Sequence, residues 1–560
     1  MLKTYAYPRY AYRRPPEFGA SGATRHPVAV IGAGPVGLCA AIDLAQRGVP
    51  VVLLDDDDTV SIGSRGVCYA KRTLEILDRL GVGDRCVAKG VSWNVGRTFF
   101  RTEEVFRFEL LPEAGHKRPG MINLQQYYLE QYLVERAQAL SALDLRWRSK
   151  VVAVRPRDDA VALTVETPEG PYELTADWLI VADGARSPVR RMLGLEVEGR
   201  VFTDRFLIAD VVMKADFPAE RWFWFDPPFH PNQSVLLHKQ ADNVWRIDFQ
   251  LGWQADPEEE KKPERVIPRI RAMLGEAREF ELEWVSVYTF QCRRMQRFRH
   301  GRVLFAGDAA HQVSPFGARG ANSGIQDADN LGWKLALVLA GRAPERLLDT
   351  YSDERVAAAD ENLLNSTRST DFITPKSRAS RTFRDAVLGL ARDHAFARTL
   401  VNSGRLSVPA ILADSALSTP DGDAFDGHMV PGAPLDDAPL ARAGRTEWLL
   451  DALCAAPGEH FHALVYADDA ARVDRALLDA IARIDVKGVR IAPQLIVREP
   501  TGAALDRAPL HDVEGLFARR YDARDGTVYL VRPDEHVAAR WRAADPDRLR
   551  AALARATCND

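Results

Sequence analysis

The most constraining stretch of this sequence is a glycine loop between two apolar segments near the N-terminus. Val28–Ile31 has the pattern of a buried strand, an Ala- and Leu-rich helix follows the loop, and a second apolar strand ends at Asp55. The loop carries Gly32, Gly34 and Gly37 in the G-x-G-x-x-G spacing. In such loops the glycines allow a tight turn, admit a pyrophosphate and let helix and strand pack closely, while an acid about twenty residues further on binds ribose. The sequence therefore predicts a dinucleotide-binding βαβ unit.

Residues 303–327 form a second loop of the same kind. The apolar run Val303–Ala306 ends at Gly307 and Asp308, and a loop rich in Gly, Pro and Ala leads into a helix with Asn322 near its start. Asp308 can accept hydrogen bonds from hydroxyl groups, and a helix N-terminus offers free N–H groups and the positive end of a dipole. The pattern indicates a site for a polyol phosphate and a flat ring. An ordinary strand–loop–helix connection is the alternative.

A third segment, Asp177–Arg190, has a strand that stops at Asp183 and Gly184, with Ser187 on the next turn. Alone, it is an ordinary strand end. The three segments in this order resemble the FAD-dependent aromatic hydroxylases of the para-hydroxybenzoate hydroxylase type, and the resemblance covers roughly residues 26–375.

The resemblance implies which side chains contact the cofactor. The positions that match the family's FAD-binding motifs are Gly32, Gly34, Gly37, Asp55, Asp183, Gly184, Ser187, Arg190, Gly307, Asp308, His311, Pro315, Gly320 and Asn322. Arg65 and Gln125 stand where the family has further FAD-contacting side chains, and for His311 a hydrogen bond that fixes the loop is the expected role. Pro315 occupies the position beside the flavin where a backbone carbonyl faces the substrate. Proline has no N–H, so its backbone offers only an acceptor.

The resemblance also implies the reaction. In this family NAD(P)H reduces the flavin, O2 adds to give a flavin hydroperoxide, and the distal oxygen attacks an activated aromatic carbon. The protein then supplies orientation, a water-poor pocket and help in deprotonating a phenol, while the cofactor carries the difficult chemistry. The expected function is therefore an FAD-dependent NAD(P)H:aromatic monooxygenase.

Composition narrows the class of protein. A chain of 560 residues fits two or three domains, and a net charge of −4 indicates no nucleic-acid partner. The six cysteines show no C-x-x-C pairing and no clustering with histidine, which argues against a metal site or a disulfide framework and favours a reducing cytoplasm. No apolar run approaches the length of a membrane span. A homodimer is expected.

The predicted fold class is α/β. We expect a flexible N-terminal arm at 1–25, a Rossmann-type FAD-binding domain at 26–200 and 290–375, and an inserted mixed β-sheet substrate domain at 201–289. A helical segment and linker at 376–444 leads to a module at 445–560 that resembles the thioredoxin-like domain appended to some members of the family. The module has no C-x-x-C, so dithiol chemistry is not expected.

The substrate-side residues are inferred from strand alternation. His238 lies on a predicted strand, and Arg246 and Asp248 share one face of the next. His238 is a candidate general base because its reference pKa is near neutrality, and Arg246 is a candidate for binding a substrate carboxylate in a bidentate way. Structural pairing is the alternative, and Asp248 could neutralise Arg246.

The remaining hypotheses concern the electron donor and competing functions. Asp56, Asp57 and Asp58 follow Asp55, and such a run of carboxylates would repel the extra phosphate of NADPH, which gives a weak preference for NADH; a solvated surface run is the alternative. One rival is another flavin monooxygenase acting on a polyketide-like substrate, or a halogenase, since 222–227 nearly fits W-x-W-x-I-P. The other rival is a non-catalytic flavin-binding protein.

Overall fold

Three eight-stranded sheets organise the residues that the computed structural model describes, which are 2–19, 24–403, 406–454, 461–499 and 508–560. A fourth, three-stranded sheet joins Cys68–Ala70, Met121–Asn123 and Val91–Trp93. The sheets mix parallel and antiparallel pairs and carry helices on their faces, as the α/β prediction required.

The first sheet contains the glycine-loop strand at its centre. Its strands in spatial order are Arg299–His300, Val303–Phe305, Gly170–Val181, Thr24–Ile31, Val51–Leu54 and Leu143–Arg146, with Val161–Thr167 and Lys150–Pro156 joined through Gly170–Val181. The strands that end at residues 31, 54, 181 and 305 run parallel to one another. Their carboxyl ends therefore meet at one edge of the sheet, where ligands bind in folds of this kind.

The second sheet carries the predicted substrate strands. Its strands in spatial order are His311–Gln312, Glu281–Arg294, Glu198–Val212, Val244–Leu251, Ser234–Lys239, Arg221–Phe225, Val95–Phe100 and Glu103–Glu109. One face packs its apolar side chains on the helix Pro263–Leu274. The sheet extends beyond the predicted 201–289, because Val95–Phe100 pairs in parallel with Arg221–Phe225, a long-range pairing that alternation within one segment cannot reveal.

The third sheet forms the C-terminal unit. Its strands in spatial order are Arg445–Trp448, Pro439–Arg442, Leu510–His511, Val489–Glu499, Phe461–Asp469, Val528–Val531 and Val537–Trp541, with Asp485–Val486 paired to Val489–Glu499. Apolar clusters fill both faces. The unit begins at Pro439, a few residues before the predicted boundary. Its likeness to thioredoxin stays a prediction.

Fifteen α-helices are present in the residues that the structure describes. They are Pro35–Gln46, Lys71–Arg79, Gly83–Lys89, Gln126–Gln138, Pro188–Met192, Pro257–Glu260, Pro263–Leu274, Gly320–Leu339, Leu347–Ile373, Arg378–Ala391, Ala395–Arg398, Leu449–Cys454, Arg475–Ala482, Leu516–Arg520 and Pro546–Ala556. The helix after the second loop starts at Gly320, so Asn322 lies near its start, as the sequence indicated. Within the described ranges, no helix has the length and apolar character needed to cross a membrane.

The N-terminal arm is packed against the fold, which corrects the expectation of a flexible segment. Tyr5 stacks on Tyr127 with ring centroids 4.1 Å apart, and Tyr10 stacks on Trp147 at 4.5 Å. The Tyr7 hydroxyl accepts a hydrogen bond of 2.9 Å from the Gly63 N–H. The arm lacks an apolar run, but its regularly spaced tyrosines bury aromatic surface, and burial of that surface stabilises the docked conformation.

Candidate active site

One large cavity of about 1010 Å³ lies between the first and second sheets. The carboxyl-end loops of the first sheet line one side, and side chains of the second sheet line the other. All three predicted cofactor-binding segments contribute to its wall. The cavity reaches the upper end of the usual volume range for ligand sites, about 300–1,000 Å³.

The glycine loop has the geometry that a bound pyrophosphate requires. A Cβ atom on Gly32, whose φ is +100°, would stand 2.4 Å from the Ala182 carbonyl oxygen. A Cβ on Gly37 would stand 1.9 Å from the Gly32 carbonyl oxygen, so both positions exclude side chains on packing grounds. Gly34 differs, since a Cβ there would meet no protein atom within 4 Å and Gly34 lines the cavity. Of the three loop glycines, Gly34 is therefore the one that leaves room for a ligand.

Asp55 closes the glycine loop from the neighbouring strand. Its carboxylate accepts hydrogen bonds from the Ala33 N–H at 2.5 Å and from the Asp57 N–H at 2.9 Å. Burial raises the pKa of Asp55 to about 6, although both hydrogen bonds oppose the shift. A carboxylate has about four acceptor sites, so Asp55 keeps capacity for a ribose hydroxyl.

Asp183 and Gly184 form the second part of the wall. Asp183 Oδ2 accepts a hydrogen bond of 3.1 Å from the Val189 N–H, while its buried Oδ1 has no partner among the described residues. Burial raises the pKa of Asp183. Ser187 caps the short helix that follows, and the Arg190 guanidinium donates to the Ala309 and Ala185 carbonyl oxygens. Asp183 therefore faces the cavity, whereas Ser187 and Arg190 hold the loop.

The third segment is fixed by Asp327, a carboxylate that the sequence analysis did not single out. Asp327 accepts hydrogen bonds from the Gly307 N–H at 2.9 Å, from Arg355 Nε at 2.7 Å and from His311 Nε2 at 2.6 Å. Burial disfavours its charge, but His311 and Arg355 outweigh that effect and lower the pKa of Asp327. The loop-fixing role expected for His311 is the one the structure shows.

Asp308 and the residues after it present polar groups to the cavity. The exposed surface of Asp308 faces the cavity, and burial of its surroundings raises the pKa of its carboxyl group. Gly320 also lines the cavity, at the start of its helix. Pro315 lines it too, and its carbonyl accepts the Ala318 N–H at 3.0 Å, which leaves one lone pair for a ligand.

Four of the predicted cofactor-binding residues, Gly37, Gln125, Gly307 and Asn322, do not line the cavity. Gln125 is fully buried and donates to the Ala241 carbonyl oxygen at 3.1 Å, and its neighbour Gln126 lines the cavity instead. The Asn322 side chain accepts the Ala70 N–H at 2.8 Å and donates to the Cys68 carbonyl oxygen at 2.9 Å. Asn322 therefore ties the helix to the small sheet. Arg65 does line the cavity, as expected.

On the second sheet, Arg246 is held by a carboxylate from the adjacent strand. Arg246 Nε donates to Asp210 Oδ1 at 3.0 Å, and Nη1 donates to the Arg65 carbonyl oxygen at 2.8 Å. Nη2 contacts Ser64 and Asp210. The anticipated neutralising partner, Asp248, is not the one observed. With three of its nitrogen atoms engaged, Arg246 is poorly placed for bidentate capture of a substrate carboxylate.

His238 lines the cavity but is a weak base. Burial, Arg221 and Arg246 together lower the pKa of His238 well below its ordinary value. Its Nδ1 lies 4.0 Å from the sulfur of Cys68. A neutral imidazole with a strongly lowered pKa is unsuited to removing a phenolic proton near neutral pH. The structure thus argues against the general-base role inferred from the sequence.

Two residues that were not predicted to act on the substrate, Arg221 and Asp248, have unpaired polar atoms on this wall. Arg221 is 3% exposed and Asp248 is 7% exposed, and both line the cavity. Arg221 Nη1 and Asp248 Oδ1 have no hydrogen-bond partner among the described residues. Arg221 directly precedes the aromatic run that suggested a halogenase, but Trp222 and Trp224 pack on the opposite, apolar face of the sheet. That face does not line the cavity.

Comparison with known proteins agrees with this geometry. A family model described as an FAD binding domain matches residues 25–366. The 6-methylpretetramide 4-monooxygenase of Streptomyces rimosus is 32% identical over 556 residues, which cover 94% of this chain and 92% of that protein. The "Probable NADH-specific resorcinol 4-hydroxylase" of Rhodococcus jostii (strain RHA1) is 28% identical over 94% of this chain and 93% of its own length.

The fold comparison extends over nearly the whole chain. The crystal structure of the flavin-dependent monooxygenase PieE in complex with FAD and substrate superposes with a TM-score of 0.79 at 25% identity, covering 96% of this chain and 100% of that one. The family model spans more than half of the sequence, and the open position at Gly34 and the unpaired Asp183 oxygen fit a bound dinucleotide. The chain belongs to the family of FAD-dependent aromatic hydroxylases.

Proposed function

We propose that the protein hydroxylates a phenolic aromatic compound with O2 and a reduced nicotinamide cofactor. The observation that carries the proposal is the large cavity between the first and second sheets, whose two walls differ in kind. Open backbone and acceptor groups line the cofactor side, and buried ionisable side chains line the sheet side. The relatives named for resorcinol and 6-methylpretetramide support an aromatic substrate.

We assign some cavity residues to binding the cofactor and others to binding the substrate. When bound and reduced, FAD supplies the activated oxygen that the substrate receives. Gly34 admits its pyrophosphate, Asp55 binds a ribose hydroxyl, and Asp183 and Asp308 accept hydrogen bonds from its polar chain. The Pro315 carbonyl offers an acceptor where substrate and flavin meet. The sheet side keeps the substrate in a water-poor site, which protects the activated oxygen from wasteful release.

NADH is the proposed donor, on electrostatic grounds. Asp56 and Asp57 are exposed and line the cavity mouth. Asp58 is paired with Arg9, so the charge at the mouth comes mainly from the other two. A phosphate dianion near them would be repelled. The relative whose printed name specifies NADH supports the same preference.

The double substitution Asp56→Asn with Asp57→Asn tests this preference. We expect it to raise kcat/KM for NADPH relative to NADH about tenfold, since each 1.4 kcal/mol of relieved repulsion is a factor of ten. The matched control is Glu258→Gln with Glu259→Gln, which removes the same charge from exposed positions outside the cavity wall. Equal use of both donors by the wild-type enzyme would contradict the proposal.

A larger, polyketide-like substrate is the second candidate, favoured by the similarity to 6-methylpretetramide 4-monooxygenase over 94% of the chain. The discriminating experiment measures NADH oxidation by the FAD-loaded enzyme with resorcinol, 3-hydroxybenzoate and a fused-ring phenol such as 1-naphthol, followed by mass analysis. A product heavier by one oxygen atom supports a hydroxylase. Its formation from 1-naphthol alone favours the larger substrate, and its formation from resorcinol or 3-hydroxybenzoate favours a simple phenol. A flavin-bound protein that none of these phenols stimulates would favour the rival, a non-catalytic flavin-binding protein.

Two further proposals concern the protein as a whole. The six cysteines are free in the structure, which supports a reducing cytoplasm as the site of action. A homodimer remains the proposed assembly, and sedimentation equilibrium of the purified chain would test it.

A further inference from the structure

Some polar side chains on the sheet side of the cavity already have an ion-pair partner within the protein, and others do not. Arg246 is paired with Asp210, and His238 is neutral at physiological pH. Tyr288 also lines the cavity, and burial raises its pKa well above the ordinary value, so the phenol keeps its proton. These groups cannot supply both a base and an unpaired cation to a substrate.

Arg221 is the cation that the fold leaves available. Its Nη2 donates to the Ser403 carbonyl oxygen at 2.8 Å, and its guanidinium lies 5.2 Å from the centre of the Phe223 ring. No described carboxylate lies within ion-pair distance of it. A buried guanidinium with an unpaired Nη1 is costly for the fold unless a ligand completes it.

Asp248 is the matching acceptor. It lies two strands away from Arg221 in the same sheet, on the face that lines the cavity. Its Oδ1 is unpaired, and burial raises its pKa to about 7, against the opposing charge of Arg246. A base with a pKa near the working pH is the most effective kind for removing a proton.

We propose that Asp248 accepts the proton of a phenolic hydroxyl on the substrate and that Arg221 stabilises the resulting phenolate. The phenolic O–H bond breaks, its electron pair stays on the phenolate oxygen, and the proton bonds to Asp248 Oδ1. The step consumes no oxidant, and it makes the aromatic ring more nucleophilic toward the activated oxygen. The inference rests on the proposed function and adds a requirement that the substrate carry an ionisable hydroxyl group.

Other ionisable groups facing Asp248 have to be considered in any pH experiment. Those that line this wall or pair with it are Cys68, Asp210, Arg221, His238, Arg246 and Tyr288. Burial raises the pKa of Cys68 to about 12, and the arginines stay charged, so Asp248 is the group on this wall whose pKa lies near 7.

The first experiment follows kcat/KM for resorcinol against pH with the FAD-loaded enzyme. We expect wild-type activity to rise with pH through about 7 as Asp248 ionises. Asp248→Asn should lose that rise and about 10²–10⁴-fold of the rate, the usual contribution of a general base. His238→Gln is the matched control on the same wall, and it should keep the rise. An Asp248→Asn enzyme with the wild-type profile would overturn the proposal.

The second experiment needs no turnover. Bound 4-nitrophenol is examined by absorbance at a pH below its solution pKa, with wild type, Arg221→Met and Arg221→Lys, each checked for FAD content. We expect wild type to hold the probe as phenolate, Arg221→Met to hold it protonated, and Arg221→Lys to restore part of the phenolate band. A wild-type enzyme that leaves the probe protonated or unbound would overturn the inference.

The two proposals fail differently. If no phenol stimulates NADH oxidation by wild type, the proposed function is wrong. If wild type hydroxylates resorcinol while Asp248→Asn and Arg221→Met both behave like wild type, only the inference about these residues is wrong.

Discussion

Two regions of this protein contain buried charged side chains that differ in whether they have ion-pair partners. Where helices of the FAD-binding part meet the C-terminal sheet, four cationic and four anionic side chains each have an ion-pair partner: Arg72, Arg79, Lys334, Arg532, Asp329, Glu354, Asp534 and Glu535. On the substrate side of the cavity, Arg221 and Asp248 have no ion-pair partner among the described residues, and each has a polar atom without a hydrogen bond. The contrast separates charges that hold the architecture from charges kept for a ligand.

Paired buried charges fix the position of the C-terminal unit. Arg532 contacts Glu354 at 2.6 Å and Asp534 at 2.6 Å, and Arg72 contacts Glu535 at 2.6 Å. The net worth of such a network is modest, but the loss of one member leaves its partners charged and buried. A substitution in this network should therefore reduce stability strongly, whereas one at an unpaired charge should not.

The largest effect is expected at Arg532. Arg532→Met leaves Lys334 as the cationic partner of Glu354 among the described residues and removes the guanidinium that pairs with Asp534. We expect a loss of about 3–5 kcal/mol in the free energy of unfolding, measured with denaturant. The control is Arg490→Met, which breaks an exposed ion pair with Asp485 and should change the same quantity by about 0–1 kcal/mol. Equal losses of unfolding free energy in the two variants would contradict the claim that the buried network contributes more to stability than an exposed ion pair.

The pH dependence of stability should differ between two buried carboxyl groups, the paired Glu354 and the unpaired Asp248. Burial alone would raise the pKa of Glu354, but the charges of Arg532 and Lys334 outweigh burial and lower the pKa. The Glu354 carboxylate therefore stabilises the fold above its ordinary pKa, and this stabilisation is lost as the pH falls. Burial raises the pKa of Asp248 to about 7, so its destabilising effect is absent below its ordinary pKa and complete above about 7.

Glu354→Gln and Asp248→Asn should therefore act in opposite directions at pH 8. We expect Glu354→Gln to lower the melting temperature. Asp248→Asn should raise stability by about 1 kcal/mol or more, a gain that shrinks as the pH falls from 7 to 4. Thermal unfolding at several pH values measures both. A stability loss in Asp248→Asn at pH 8 would show that this carboxylate is paired after all.

The smallest effect on stability is expected at Arg221. Arg221→Met removes an unpaired cation and one hydrogen bond to Ser403, and we expect a change within about 1.5 kcal/mol. Arg246→Met is the matched substitution on the same wall, and it should cost about 3–5 kcal/mol because Asp210 loses its partner. Denaturant unfolding of both variants decides whether the distinction between paired and unpaired arginines holds.

Local spacing identified chain segments that line the cofactor side of the cavity, and the reason is physical. The glycines and acids at Gly32, Asp55, Asp183 and Gly307 all follow parallel strands, and parallel strands bring their carboxyl ends to one edge. Each contribution to the cofactor wall can thus be recognised within one short segment. Asn322 and Gln125 show the limit, because a motif position does not reveal whether its side chain faces the cavity or the core.

The substrate side could not be predicted in the same way, since its chemistry depends on pairing between distant strands. Arg246 faces Asp210 only because their strands are adjacent in the sheet, and the two residues are far apart in sequence. Arg221 directly precedes the aromatic run at 222–227, and the halogenase hypothesis depended on the tryptophans of that run, not on the arginine. The lowered pKa of His238 also arises from Arg221 and Arg246, which come from neighbouring strands.

We infer that three chain segments form one FAD site in which Gly34 is an open position. A fluorescence titration of the apoprotein with FAD tests it, with wild type and Gly34→Ala compared under the same conditions. A Cβ at residue 34 meets no protein atom within 4 Å, so the variant should fold with wild-type stability yet bind FAD at least tenfold more weakly. Equal FAD affinity in the two proteins, or a wild-type protein that binds no FAD, would contradict the account.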